Sequence, residues 1–134
     1  MKILLLGAQG QLGHELLREL HGQAEVIPVA RRVIPGWPGT LVCELSSAAH
    51  WEQLWQQGVP DVIVNAAAWT AVDAAEDHAD GADLLNHRLP ASLALYAERH
   101  GVRLLHVSTD YVFPGEADRP YVENDATGPQ SVYG

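Results

Sequence analysis

The N-terminal stretch MKILLLGAQGQLG limits the possible folds more than any other part of the chain. Lys2 to Leu6 is a short apolar run of the kind that forms a buried strand in a parallel sheet. Gly7, Gly10 and Gly13 follow at intervals of three, and a helical pattern begins near Gln11. The stretch therefore predicts a strand, a tight glycine-rich turn and a helix in direct succession.

Glycines at this spacing are typical of turns that bind the pyrophosphate of a dinucleotide. The first glycine allows the tight turn, the second lets backbone N–H groups approach the phosphates, and the third allows the helix to pack closely on the strand. The positive end of the helix then faces the phosphates. An ordinary strand-to-helix turn without a ligand is the alternative interpretation.

The later apolar patterns continue the alternation of strands and helices. The further predicted strands are Glu25–Ala30, Leu41–Cys43, Asp61–Asn65 and Val102–Val107. The predicted helices are Gln11–Leu20, a segment capped by Ser46 or Ser47 that reaches Trp55, and a region from about Ala74 to His100 that Pro90 interrupts. Strict alternation predicts an α/β fold of the Rossmann type, a doubly wound parallel sheet with helices on both faces, as one domain over residues 1–134.

Three smaller expectations concern local structure. Pro28 cannot donate to a sheet ladder, so we expect it near a strand end or in an irregular pairing. The apolar side of the last helical region should consist of Leu84, Leu85, Leu93, Leu95 and Tyr96. Gly101 should cap its end. Several prolines and glycines after Asp110 predict a long irregular segment, which in a compact domain is usually functional.

Ligands of doubly wound sheets bind at the carboxyl ends of the strands. The residues that should gather there are Gly7–Gly13, Ala30–Arg32, Cys43–Leu45, Asn65–Thr70 and Val107–Asp110.

The end of the second strand bears on the choice of cofactor. Folds that prefer NAD usually carry an acidic residue there, whereas this chain has Ala30 followed by Arg31 and Arg32. Because guanidinium groups bind phosphate well, we expect NADPH to be preferred, with NADH left open. A solvated arginine pair is the alternative. Glu44 is expected to meet the adenine or to be a surface carboxylate.

Composition excludes several classes of function. The 134 residues carry 8 Lys and Arg against 17 Asp and Glu, so the net charge of -9 argues against nucleic acid as a partner. A single cysteine, Cys43, is typical of a reducing compartment, and there is no run of 18 apolar residues that could span a membrane. We therefore expect a cytoplasmic protein without a membrane partner.

Metal binding is not expected. The seven histidines show no ligand spacing and no partner cysteines. An acidic run is best interpreted as a solvated helix face, with a cation-bridged subunit contact as the alternative; it comprises Asp73, Glu76, Asp77, Asp80 and Asp83.

Five motifs together resemble one enzyme family. They are GAQGQLG, DVIVNAAAWTAVDAAE, the pair Leu85-Asn86, VSTDYVF and the final SVYG. The chain is similar to the dTDP-4-dehydrorhamnose reductases of the extended short-chain dehydrogenase/reductase superfamily. The resemblance covers essentially the whole chain, which corresponds to about the N-terminal half of such an enzyme.

The resemblance implies reduction of the C4 ketone of a dTDP-6-deoxy-4-keto sugar to dTDP-L-rhamnose. Tyr133 would donate a proton to the forming alkoxide, Thr109 would hydrogen-bond the carbonyl oxygen, and Asp110 would lie beside the substrate. The family's cofactor contacts fall on Gly10, Gln11, Leu12, Ala30, Glu44, Leu45, Ala68, Trp69, Thr70 and Val107.

The resemblance also implies a lysine four residues after Tyr133, beyond Gly134. We therefore expect the chain as given to be an inactive portion of a reductase, truncated after the fifth strand region and without the C-terminal sugar-nucleotide domain. A homodimer is left open. The alternative from another class is a non-catalytic, NADP-binding regulatory subunit of the same fold.

Overall fold

A computed structural model describes residues 1–134 and contains one sheet of five parallel strands. The strands are β1 (Lys2–Leu6), β2 (Glu25–Ala30), β3 (Leu41–Val42), β4 (Val62–Asn65) and β5 (Arg103–His106). Their order across the sheet is β3-β2-β1-β4-β5. This order is that of the doubly wound sheet: β2 and β3 lie on one side of β1, the chain then crosses to place β4 and β5 on the other side, and the switch point lies between β1 and β4. The predicted fold class is confirmed.

Five α-helices connect the strands or follow them. They are α1 (Gln11–Leu20), α2 (Glu52–Trp55), α3 (Val72–Asp77), α4 (Ala79–Asp83) and α5 (Leu89–His100). Short 3₁₀ turns cover Ala48–His50 and Asp110–Val112, and a π-helical turn covers Leu84–Arg88. None of the helices has the length and apolar character needed to cross a lipid bilayer.

The core lies on both faces of the sheet because successive strand residues point in opposite directions. On one face Leu4 and Leu6 pack with Leu93 of α5. On the other face Ile3 and Leu5 pack in a cluster with Leu17 of α1. The continuous apolar run of β1 thus contributes side chains to the core clusters on both faces of the sheet, as expected of a central parallel strand.

The long helical region is more broken than its pattern predicts. It begins at Val72 rather than near Ala74, is interrupted at His78, and passes through the π-helical turn before α5 begins at Leu89. Pro90 lies in the first turn of α5, directly after the π-helical turn, in which the Leu84 carbonyl accepts from the Leu89 N–H. The break or fresh helix start predicted near Leu89 takes the form of a π-helical turn within continuous helical backbone. Gly101 ends α5 with a φ of 66°, as predicted.

Several local predictions are wrong. Ser47 precedes the first 3₁₀ turn without a side-chain cap, and Ser46 instead donates its hydroxyl to Glu44. The predicted third and fifth strands each extend beyond the observed ones, which end at Val42 and His106. Leu95 is 63% exposed because it lies on the solvent side of α5 rather than beside Leu93.

Pro28 lies inside β2 and pairs regularly with Leu5, so the expectation of a strand end or an irregular pairing is wrong. The carbonyl of Ala30 accepts from Cys43 N–H on the β3 side of the strand. Residues two apart face the same neighbour, so Pro28 also faces β3. Pairing with β3 begins only at Val29, and no ladder bond is lost.

Candidate functional site

The turn after β1 lies directly against the loop that follows β4. Gly7 has a φ of 74°, and a Cβ built there would come within 2.6 Å of the backbone nitrogen of Ala67. A Cβ on Gly13 would overlap the Gly7 carbonyl oxygen, because α1 packs on the turn itself. These contacts confirm the tight turn and the close helix packing expected of the first and third glycines. They bring the two loops together at the switch point of the sheet.

The N-terminus of α1 is open toward solvent. Gly10 occupies the cap position without a side-chain cap, and the first turn of the helix contains no acidic residue. Gln11 and Leu12 are exposed, and the first N–H groups of a helix have no intrahelical acceptor. The turn can therefore present N–H groups and the positive end of the helix dipole to an anion.

The end of β2 carries the two arginines. Ala30 is buried, whereas Arg31 and Arg32 are exposed and form no ion pair within 4 Å. Glu44 accepts hydrogen bonds from the Ser46 hydroxyl and from the Ser46 backbone N–H, at 2.7 and 3.2 Å. These two bonds lower the pKa of Glu44, and the positive charges of Arg31 and His50 act in the same direction. The edge thus presents two guanidinium groups without ion pairs, of which Arg31 acts on the Glu44 carboxylate.

The residues on either side of Glu44 are buried. The Cys43 thiol lies 3.5 Å from the carbonyl oxygen of His50, and burial followed by the charge of Glu44 raises its pKa. The side chain of Leu45 belongs to the core, and its carbonyl accepts from the Trp51 indole at 2.9 Å. Any ligand contact by Leu45 is therefore limited to its remaining backbone surface.

The ends of β4 and β5 are joined by one buried amide. Asn65 is 1% exposed, and its Oδ1 accepts from Ala67 N–H at 3.2 Å. Because Oδ1 receives an N–H, the Nδ2 group must be the one that donates to His106 Nδ1, at 3.1 Å. Partial burial lowers the pKa of His106, in agreement with a neutral ring that accepts this bond.

Asn86 is a site residue whose role the sequence reasoning missed. Its Oδ1 accepts from Trp69 N–H at 2.8 Å, and its Nδ2 donates to the Trp69 carbonyl at 3.0 Å. Asn86 lies in the π-helical turn, a local geometry that is frequent at functional sites. It holds the loop containing the exposed residues Ala68 and Thr70. The available signal was an amide four residues before a helix-interrupting proline.

The residues after β5 approach the final segment of the chain. Thr109 Oγ1 accepts from Tyr111 N–H at 3.2 Å and lies 3.4 Å from Asp110 Oδ1. The ring of Tyr111 contacts that of Tyr133 edge to face, with the centroids 5.4 Å apart. The structure therefore links Thr109 to Tyr133 through Tyr111. Val107, predicted to contact the cofactor, is 47% exposed.

A doubly wound parallel sheet, with a glycine turn and an open helix end at the switch point, defines the class of protein as a Rossmann-type nucleotide-binding domain. The sequence profile described as "RmlD substrate binding domain" matches residues 1–134. The chain belongs to the dTDP-4-dehydrorhamnose reductase family, as its motifs suggested.

The relatives support this assignment over the full chain. A dTDP-4-dehydrorhamnose reductase of Burkholderia thailandensis is 43% identical over 135 residues, covering 100% of this chain and 42% of its own length. The crystal structure of a hypothetical dTDP-4-dehydrorhamnose reductase from Sulfolobus tokodaii matches with a TM-score of 0.87 and 36% identity, over 99% of this chain and 48% of that one.

A third relative is a dTDP-4-dehydrorhamnose reductase from Bacillus anthracis, whose crystal structure is a complex with NADP. It matches with a TM-score of 0.82 and 28% identity, over 98% of this chain and 44% of that one. This chain spans about two fifths of the length of the curated relatives, at 42% and 43% of the first two.

Proposed function

We propose that this chain is the cofactor-binding part of an NADPH-dependent dTDP-4-dehydrorhamnose reductase. The enzyme would reduce the C4 ketone of dTDP-4-dehydro-6-deoxy-L-mannose to dTDP-L-rhamnose, in nucleotide-sugar and cell-surface polysaccharide biosynthesis. The observation that carries the proposal is the glycine turn packed against the loop after β4, with an open helix end beside it. The family membership then selects the reaction among those that this fold supports.

The residues present fit a nicotinamide dinucleotide. The backbone N–H groups of Gln11 and Leu12 would bind the pyrophosphate beside Gly10, whose own N–H donates to the Gly7 carbonyl, and the free guanidinium groups of Arg31 and Arg32 would bind a 2'-phosphate. NADP in the Bacillus anthracis relative supports this choice. NADH remains a second candidate. The loop from Ala68 to Thr70, held by Asn86, would contact the cofactor from the β4 side.

The proposed chemistry assigns one task to each polar residue near β5. Bound NADPH supplies the hydride to the ketone carbon. Hydride addition to the carbon moves the electrons of the C=O π bond onto the oxygen, and Tyr133 donates its phenolic proton to that oxygen. The Thr109 hydroxyl, which points to Asp110 Oδ1 in this structure, would rotate to donate a hydrogen bond to the same carbonyl oxygen. The Asp110 carboxylate would then be available to accept a hydrogen bond from the sugar.

Tyr133 needs help to act near pH 7 because an ordinary tyrosine has a pKa near 10. A neighbouring positive charge would favour the phenolate and so ease proton release. We propose that the lysine implied by the family motif supplies this charge and that the remaining length of the relatives supplies the sugar-nucleotide contacts. Residues 1–134 alone are accordingly expected to bind part of the cofactor without turnover.

The test is an assay of the full-length protein with NADPH and dTDP-4-dehydro-6-deoxy-L-mannose. Consumption of NADPH is followed by the absorbance of reduced nicotinamide, and product by chromatography. Tyr133→Phe should reduce kcat by about 10²- to 10⁴-fold, because general acid catalysis contributes about that much. Tyr121→Phe is the matched control, since Tyr121 stacks on Phe113 in the same segment. Absence of NADPH consumption by the wild type would reject the proposal.

The cofactor preference has its own test. Replacing Arg31 and Arg32 together with Ala should raise the KM for NADPH by about tenfold or more and change that for NADH little, because only NADPH carries the 2'-phosphate. Arg99→Ala is the control, because Arg99 is a basic residue in the last turn of α5, away from the end of β2 in the sequence. Equal changes in the KM for NADPH and for NADH would show that the two arginines are solvated surface residues that do not bind the 2'-phosphate.

A further inference from the structure

One hydrogen bond connects α3 to the segment that carries Tyr133. The Glu76 carboxylate accepts from the backbone N–H of Val132 at 2.9 Å, across a sequence separation of 56 residues. Val132 immediately precedes Tyr133. The bond therefore acts one residue away from the proposed proton donor.

The residue that accepts this bond lies on a fixed helix. Ala75, its neighbour in α3, is fully buried and donates its N–H to the Ala71 carbonyl. Ala71 in turn accepts from the indole of Trp69, whose backbone is held by Asn86. Glu76 is thus positioned by the same contacts that order the loop after β4.

The segment that donates the bond makes few hydrogen bonds of its own, although Gly128 just before it donates its N–H to the Val112 carbonyl and Gly134 packs closely on Tyr111. Residues 129–134 contain no helix or strand, and their other hydrogen bonds run from Gln130 to Gly128 and from Gly134 to Ser131. Beyond these local bonds, Tyr133 contacts Tyr111 through its ring. The Glu76 bond is therefore the hydrogen bond that ties the backbone of 129–134 to the rest of the domain.

The neighbouring acidic side chains do not share this contact. Asp73, Asp77 and Asp80 are exposed, and Asp83 pairs with His87 at 2.8 Å. Glu76 therefore differs from the other members of the solvated acidic face because its partner, the Val132 N–H, lies in a distant segment of the chain.

We propose that Glu76 is a positioning residue for Tyr133. By accepting the Val132 N–H, it places the backbone from which the phenol reaches the ketone oxygen, while the Tyr111 ring limits the rotation of the phenol. The proposal rests on the proposed function, because it assigns Glu76 a task in the same reductase site.

Two conservative variants of the full-length protein separate the hydrogen bond from the charge. Glu76→Gln keeps an oxygen at the same position without the charge, whereas Glu76→Asp keeps the charge and withdraws the oxygen by one methylene. We expect Glu76→Gln to retain kcat within about twofold. Glu76→Asp should lose about tenfold in kcat with an unchanged Kd for NADPH, because a small misplacement of a catalytic group is costly. Asp77→Asn is the control and should match the wild type.

Amide hydrogen exchange at Val132 provides a readout that does not depend on activity. Exchange should be slow in the wild type and in Glu76→Gln, and faster in Glu76→Asp. Equal kcat values for the wild type and Glu76→Asp, or equal losses in both variants, would overturn the proposal. If the wild type shows no reductase activity, the proposed function fails. Fast exchange of the Val132 amide in the wild type would separately refute the proposed role of the Glu76–Val132 hydrogen bond.

Discussion

The two ends of the chain contribute to one candidate site by different physical means. The N-terminal end is held by the core: Leu5 and Leu6 are fully buried, and the turn after them leaves no room for a Cβ on Gly7 or Gly13. Residues 107–134 contain no buried residue and are held by surface contacts. The region proposed to bind the cofactor is therefore rigid by packing, whereas the region proposed to donate the proton depends on individual side-chain contacts.

The contacts of the second region are specific all the same. The rings of Phe113 and Tyr121 stack with centroids 4.5 Å apart, and Arg119 binds both oxygens of Asp125 at 2.7 and 2.8 Å. Exposed contacts of this kind contribute little to global stability. Substitutions in the first region should therefore destabilise the whole domain, whereas those in the second should act locally.

The largest effect is expected from Gly13→Ala. The added methyl group would overlap the Gly7 carbonyl, which is backbone and cannot move aside, so we expect the free energy of unfolding to fall by about 3 kcal/mol. Urea unfolding measures the change. Gly39→Ala is the control, since no atom lies within 4 Å of its Cβ position, and it should change stability by less than about 1 kcal/mol. Equal effects at both positions would contradict the close packing of α1.

An intermediate effect is expected at the bond between the ends of β4 and β5, which lie between the two regions in the chain. Asn65→Ala leaves the Ala67 N–H and the His106 ring without their partner, which should cost about 2 kcal/mol of unfolding free energy. Thermal or urea unfolding can measure it. The exposed Asn124 supplies the control, and Asn124→Ala should stay within about 0.5 kcal/mol of the wild type. A loss of unfolding free energy no larger than that of the control would show that the hydrogen bonds of Asn65 do not stabilise the domain.

The smallest effect is expected from the ion pair of the second region. The side-chain bond from Arg119, followed by the Val122 N–H, lowers the pKa of Asp125. Because folding lowers this pKa, the local stabilisation is present above the ordinary carboxyl pKa and is lost as the pH falls below about 4.

An NMR titration of the Asp125 carboxyl tests this expectation directly. The pKa should lie below the ordinary aspartate range in the wild type and rise toward it in Arg119→Ala. The midpoint of global urea unfolding at neutral pH should be the same for both proteins. A large global destabilisation would remove the distinction between the two regions.

The parts that were predictable share a local cause. The bounds of β1 and α1 follow from an apolar run, three glycines and a helical period, and the structure reproduces them. Gly101 ends α5 in the left-handed conformation that glycine tolerates best. Each of these features is determined by residues within a few positions of one another.

The parts that were not predictable depend on distant partners. Nothing in the periodicity around Asn86 indicates a π-helical turn, because its partner Trp69 lies 17 residues earlier. Ser47 resembles a helix cap, but the helix that it would cap is a short 3₁₀ turn. Leu95 fits the apolar pattern and still faces solvent, because the sheet covers only one side of α5.

Local patterns in the sequence were enough to predict the doubly wound sheet and the glycine turn, because strand and helix periods and glycine conformations act over short distances, and the motifs were enough to predict the family. How the site is held together became visible only in the folded chain, where Asn65 joins two strands, Asn86 holds Trp69 and Glu76 accepts from Val132. Each of these bonds joins residues far apart in the chain, and its geometry exists only after the sheet has brought their loops to one edge.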